Sequence, residues 1–302
     1  MKRILVFLVV SYSVLVFAQN EKLYDLDWKL KPNEELIYKV SEEKLKIEKN
    51  ESSSSIWQNI LKNLPDSIKS AADSVDEIEN GATAYLKYLD SAQSDFETYI
   101  VLRKEKPSKI EVKFFTRKAK DKSASEIDTL LNMMSMFNKG VTMRGELNDD
   151  GSISSFYIRQ SQKNLLAMFF ELPKYPVRIG DSWPLQINLI EFDQNFICEK
   201  AEKRNSVELS DVKIINGEEI AVLKYDIYER VEGGFFNSPT VMEISFTGNC
   251  EFSISKGRWE NYSGTSKTYS SGFMGGFMGN NIEKKETLME VNDISLEDLE
   301  NN

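Results

Sequence analysis

The 302-residue chain contains no histidine. That excludes Ser-His-Asp triads, Cys-His pairs, ordinary His-bearing zinc sites and any side chain whose unperturbed pKa lies near neutrality. Cysteine is scarce, with Cys198 and Cys250 the only two. Seven prolines and 15 glycines are too few for a collagenous or disordered chain, and 11% aromatic content is that of a globular one. The apolar run Ile4 to Phe17 is shorter than the roughly 20 residues a membrane-spanning helix needs. Positive charge is in deficit as well, 38 Lys and Arg against 48 Asp and Glu, which argues against a general nucleic-acid binder.

What is present at the amino terminus is a positive start, Lys2 and Arg3, then the apolar run, then Val16-Phe17-Ala18. This is the pattern of a secretory signal peptide over residues 1–18, cleaved after Ala18. No cysteine lies beside the cut to carry a lipid. Removing Lys2 and Arg3 moves the formal net charge from −10 to −12. Residues 19–291 then read as one sheet-rich extracytoplasmic domain, periplasmic or secreted, and 292–302 as an acidic tail, flexible or a frayed helix. The charge is uneven: nine basic residues fall between Arg103 and Lys122, against Glu105, Glu111 and Asp121. Residues 103–122 are either a solvated hairpin surface, the preferred reading, or a peripheral contact for anionic headgroups.

Period-two patterning, with Leu36, Tyr38 and Val40 then Leu45 and Ile47, predicts a strand over 34–49. Apolar residues every three or four positions predict helices over 56–80, divided or kinked at Pro65, over 125–138, and over Gln160 to Phe170. Strands are expected at 96–103 and 110–117, and on both sides of Asn148-Asp149-Asp150-Gly151. After residue 170 the chain reads as almost entirely β. Leu185, Ile187 and Leu189 alternate, Asn216-Gly217 marks a two-residue hairpin turn, Ser255-Lys256-Gly257 marks another turn, and a last strand runs over 282–291. The 148–151 and 255–257 turns suggest a weak repeat of one hairpin unit in each half.

The segment Leu172 to Trp183 is the most specific feature. Pro173 and Pro176 fix φ and extend their predecessors, Gly180-Asp181 can turn the chain, and Trp183 can enter the core as a strand begins. It resembles the Pro-x-x-Pro-Val-x-x-Gly-Asp-Ser-Trp signature of a family of exported bacterial proteins of unknown function, matched here by Pro173, Pro176, Val177, Gly180, Asp181, Ser182 and Trp183. The resemblance implies a single-domain, sheet-rich exported chain. It carries no catalytic residue, and a structural corner is the expected role of the motif.

Between two strand-like segments lies a tandem repeat, Gly272-Phe273-Met274-Gly275-Gly276-Phe277-Met278-Gly279. Glycines free the backbone while Phe273, Met274, Phe277 and Met278 form an apolar tip, which suits contact with membrane or with an apolar ligand; a loop lengthened by slippage of a short repeat is the plainer reading. Cys198 and Cys250 both fall in strand-like segments of an exported chain, so they form either a disulfide or a pair of buried free thiols. The 148–151 turn lacks the ligand spacing of a calcium loop. No catalytic residue, metal site or cofactor motif is expected, although the many carboxylates leave a hydrolase as the least favoured alternative.

The expected fold is α+β, a strongly curved antiparallel sheet forming a half-barrel like that of lipoprotein carriers, with two or three helices packed on one face. The expected function is non-enzymatic binding of a lipid or other apolar or amphipathic ligand in the cell envelope. The alternative is a structural or interaction protein of the envelope whose interior is filled by side chains.

Overall fold

The computed structural model describes residues 22–49, 96–106, 108–118, 141–156, 160–190, 196–235, 238–271 and 280–300. Eleven strands are found among these residues: β1 (Glu35–Lys49), β2 (Phe96–Lys106), β3 (Lys109–Lys118), β4 (Val141–Leu147), β5 (Ile153–Phe156), β6 (Ser182–Trp183), β7 (Phe196–Ile215), β8 (Glu218–Phe235), β9 (Ser238–Ser253), β10 (Arg258–Ser271) and β11 (Asn280–Glu290). They form one open antiparallel sheet in the order β5-β4-β3-β2-β1-β11-β10-β9-β8-β7-β6. Two helices accompany it among the described residues, α1 (Gln160–Phe170) and α2 (Leu296–Glu300). The sheet-dominant fold is as expected, and so are the bounds of α1. The helices expected over 56–80 and 125–138 lie outside the described residues, as does the signal peptide, so the expected set of two or three helices on one face reduces here to α1.

Alternation sends Leu36, Tyr38, Ile100, Leu102, Ile110 and Val112 to one face of the sheet, the inner face, where they join a core that runs from Leu147 in β4 to Leu209 in β7. Ile37, Tyr99, Val101 and Phe115 point the other way and are covered by Leu296 and Leu299 of α2. The acidic tail is therefore docked over residues 296–300. Ser295 caps α2, its hydroxyl accepting from the Asp298 amide at 3.1 Å while the Asp298 carboxylate accepts from the Ser295 amide at 2.9 Å. The two helices thus sit on opposite faces.

The leader, 22–32, does more than connect. Leu26, Trp28 and Leu30 are buried, and the segment threads between the two glycine turns noted in the sequence. The Trp28 amide donates to Asp149 O at 2.9 Å in the β4–β5 turn, and the Lys29 amide donates to Gly257 O at 3.2 Å in the β9–β10 turn. The Trp28 ring also meets Phe252 of β9, with centroids 5.5 Å apart. In a flat sheet β4 and β9, six strand spacings apart, would stand about 29 Å from each other. One tryptophan touches both ends of that span, so the sheet is bent over its inner face. Gly151, at φ +72°, is required at this approach: a Cβ there would lie 1.5 Å from Phe170 O.

The last carbonyls of α1, which no helical N–H can reach, are taken by aromatic donors. Trp28 Nε1 donates to Phe170 O at 2.8 Å, Trp259 Nε1 to Phe169 O at 2.7 Å and Tyr262 Oη to Met168 O at 3.2 Å. The same rings pack edge-to-face with Phe169, Phe170 and Phe252. This end of the inner face is closed.

Residues 185–189, expected as a strand, are irregular. Their amides are bonded one by one, mostly to side chains: Leu185 to Asn205, Gln186 to Glu171, Asn188 to Asn164 and Leu189 to Glu229, with Ile187 bonding Leu185 O. Side chains do here what a neighbouring strand would do, which accounts for the burial of Asn164 and Glu171. Alternation alone could not distinguish the two arrangements.

Candidate functional site

Topology sorts the connections between strands. At one end of the sheet, the base, lie the short turns β2–β3, β4–β5, β7–β8 and β9–β10, together with the aromatic closure around Trp28. Asn216 and Gly217 make the β7–β8 turn with φ of 53° and 83°, as an Asn-Gly hairpin turn requires. At the other end, the distal end, β1 leads to β2, β3 to β4 and β10 to β11 through the connections 50–95, 119–140 and 272–279. Phe273, Met274, Phe277 and Met278 belong to the last of these and lie outside the described residues.

On the inner face of the distal half, the strands carry two kinds of surface. Along β8 and β9, Val231 and Met242 are buried with Ile190, flanked by the partly buried Leu189, Phe196 and Ile244. Along β10, β11 and β1 the inward positions include Ser266 and Thr268, Ile282, Lys284 and Glu286, and Glu42 and Lys44. Glu42 is 49% exposed, so this wall is open, whereas the base is closed. Lys284 Nζ lies 3.0 Å from the Glu42 carboxylate. Burial pushes the Glu286 carboxyl above the ordinary range; a hydrogen bond with the Ser266 side chain opposes this, Glu42 adds to it and Lys284 opposes it. Gly264 stands opposite Glu286 in the β10 ladder and Gly248 opposite Gly264 in β9. A Cβ on Gly264 would lie 2.2 Å from the Phe246 ring, so glycine leaves room for that ring against the sheet.

The sequence-selected corner is a clasp. Tyr24 and Val177 exchange backbone bonds of 2.8 and 2.9 Å, the Gly180 amide donates to Leu209 O at 2.7 Å, and the Leu209 amide donates to Asp181 O at 3.0 Å. The Asp181 carboxylate accepts from the Arg178 amide at 2.8 Å, and Gly180 has φ +94°. Ser182 and Trp183 pair with Glu208 and Val207, which buries Trp183 and protects one stretch of the β7 edge. Pro173 is buried where the chain leaves α1, and Pro176 is exposed just before Val177. These bonds tie the motif to the leader and to β7, while Trp183 Nε1 is buried without a hydrogen-bond partner.

Cys198 and Cys250 are not bonded. Cys198 is exposed and Cys250 buried. They flank β8 opposite Gly233 and Leu223; ten residues of strand separate those positions, about 33 Å, far beyond a disulfide's reach. Burial pushes the Cys250 thiol up to about 12, which makes it an inert small hydrophobe. The sequence could name the strands but not the register that keeps them apart.

The four basic residues of the 103–122 stripe whose side chains are described bond within the fold. Lys104 pairs with Asp149 at 2.9 Å, Lys113 with Glu300 at 3.1 Å and Arg103 with Glu35 at 3.7 Å, while Lys109 donates to Asn148 Oδ1 at 2.6 Å. A surface depression of about 330 Å³ is lined by Ser206, Glu208, Lys224, Asp226, Thr247 and Asn249. It is polar and on the outer face, across the sheet from the apolar core.

No family model, no curated protein and no solved structure matches the chain. Sequence reasoning missed the open, mixed wall of the distal inner face. Its one available signal was the charge on Glu42, Lys44, Lys284 and Glu286 at inward positions of strands otherwise read as amphipathic.

Proposed function

We propose that this is an exported, non-enzymatic protein of the cell envelope that holds an amphipathic ligand along the distal inner face of a half-barrel. One observation carries the reading: the same bent sheet is sealed by interlocked aromatics at its base, yet faces inward with an apolar wall and an open charged wall in its distal half. Such a surface matches a molecule with one oily and one polar part. The likeness to lipoprotein-carrier half-barrels is an analogy of architecture. The resemblance of the corner motif to that of exported proteins supports a periplasmic or secreted location, with export directed by residues 1–18.

Native mass spectrometry of the protein recovered from the envelope tests this. One co-purifying amphiphile per chain is the expected result; a bare chain mass under conditions that keep a control lipid-binding protein loaded would overturn it. The connection 272–279 joins β10 to β11 at the distal end, and replacing Phe273, Met274, Phe277 and Met278 by serine tests whether those side chains add to retention. A second reading, an envelope protein with a filled interior, draws on the aromatic closure at the base and on the polar character of the outer depression. It predicts a bare chain in the same measurement.

A further inference from the structure

The two faces of the β1–β11 ladder treat charge in opposite ways. On the outer face the residues directly across from each other are complementary, Glu43 with Lys285 and Lys46 with Glu283. On the inner face they are alike, Glu42 with Glu286 and, one rung on, Lys44 with Lys284. Like charges placed directly opposite destabilise a sheet, and opposite charges stabilise it. The inner arrangement is therefore not the one that best serves pairing within the ladder, although the outer face of the same two strands adopts that one. A diagonal contact, Lys284 to Glu42 at 3.0 Å, offsets part of the repulsion.

The rungs are about 7 Å apart along the strands. An anion placed between the lysines and a cation placed between the glutamates would relieve the like-charge opposition of both rungs, in competition with the Lys284 to Glu42 contact. Opposite Glu286 the Phe246 ring lies over Gly264, and Ser266, opposite Lys284, adds a hydroxyl beside the glutamate rung. Ile282 takes the next inward position along β11, opposite Thr268, and Ile244 of β9, across from Thr268 on its other side, begins the apolar wall.

Resting on the reading of the distal inner face as an amphiphile site, we propose that Glu42, Glu286, Lys44 and Lys284 recognise a zwitterionic headgroup, an ammonium joined by a short linker to a phosphate. The ammonium sits between the carboxylates and the phosphate between the lysines, while the apolar tail runs toward Ile244 and Met242.

Isothermal titration of the whole exported chain with dihexanoyl phosphatidylethanolamine, dihexanoyl phosphatidylglycerol and dihexanoylglycerol, each below its micellar concentration, tests the assignment. The ethanolamine lipid is expected to bind about tenfold more tightly than the glycerol lipid, and the uncharged diglyceride weakest. The double variant Glu42→Gln/Glu286→Gln should erase the preference for the ethanolamine lipid while leaving phosphate-bearing lipids ahead of the diglyceride. Lys44→Gln/Lys284→Gln should erase the advantage of both phospholipids, and serves as the second test if the first variant fails to fold. Equal binding of all three lipids by the native chain would overturn the headgroup assignment and leave the amphiphile reading standing. No binding of any of them would overturn both.

Discussion

The base and the distal half of the inner face are built from the same strands and end in different chemistry. At the base, Tyr38, Trp259 and Tyr262 spend their polar atoms on named partners: the Tyr38 hydroxyl accepts from the Trp259 amide at 3.0 Å, and the two aromatic donors reach the end of α1. Further along β1 and β11 the inward side chains are charged, partly open and matched like with like. A core built only for stability would extend the first pattern along the whole strand, because apolar burial contributes about 25 cal/mol per Å² and open charge pairs contribute little. The contrast shows where the molecule departs from maximal packing, and such departures concentrate at functional surfaces.

The largest test of the contrast is to break the closed end. Trp28→Ala removes a fully buried ring that holds Phe170, Phe252 and Trp259 together; the expected loss is about 3–5 kcal/mol in chemical denaturation. Ile244→Ala, in the open half, should cost about 1 kcal/mol or less, since that side chain is only partly buried. Equal losses would dissolve the distinction between the halves. Next in size is Gly264→Ala, whose Cβ would meet the Phe246 ring at 2.2 Å. We expect about 1–3 kcal/mol of destabilisation from overpacking, against no measurable change for Gly234→Ala, where no atom stands within 4 Å of the new Cβ.

The pH dependence is smaller and has a definite sign. Burial raises the Glu286 carboxyl and, against the Gln186 amide, also raises Glu171. The native state therefore holds protons that the unfolded chain has already released. This contribution is fully present below the ordinary carboxylate range and is lost as pH rises through the native values. Burial raises Asp27 as well, so Glu286→Gln, which mimics the protonated group, should remove one of three components of that fall in a urea-midpoint series from pH 4 to pH 8, leaving those of Glu171 and Asp27. A midpoint that rises with pH in the native chain and is unchanged by the substitution would contradict the burial of Glu286.

How much of this could be read beforehand depended on whether the cause was local. Asn216-Gly217, α1 and the Gly180-Asp181 corner are specified by their own backbone needs, and each stands where its residues predicted. Segment 185–189 alternates like a strand, but its amides are claimed by Asn164, Glu171, Asn205 and Glu229, residues distant in sequence. The leader was legible only as a connection, because the turns that flank Trp28 come from residues 149 and 257. The inner wall and the separation of Cys198 from Cys250 depend on cross-strand register, which a single strand's pattern does not contain.

The smallest predicted effect concerns the outer face. Burial of Leu296 and Leu299 offsets only part of the cost of ordering the residues from 292 to 300, at about 1–2 kcal/mol each. Leu299→Ala should therefore leave global stability within about 1 kcal/mol of the native chain. It should speed hydrogen exchange at the Val291 amide, bonded to Ile37 O at 2.9 Å. Global unfolding on this substitution would show that α2 is integral to the fold.

The central claim, a sealed base and a ligand-holding distal half, is tested most directly by hydrogen exchange of the chain with and without saturating dihexanoyl phosphatidylethanolamine. The account predicts slowing by about tenfold in amides of 40–48, 228–244 and 282–288, with Leu102, Ile110 and Leu223 at the base unchanged. Uniform slowing, or none at saturation, would contradict it.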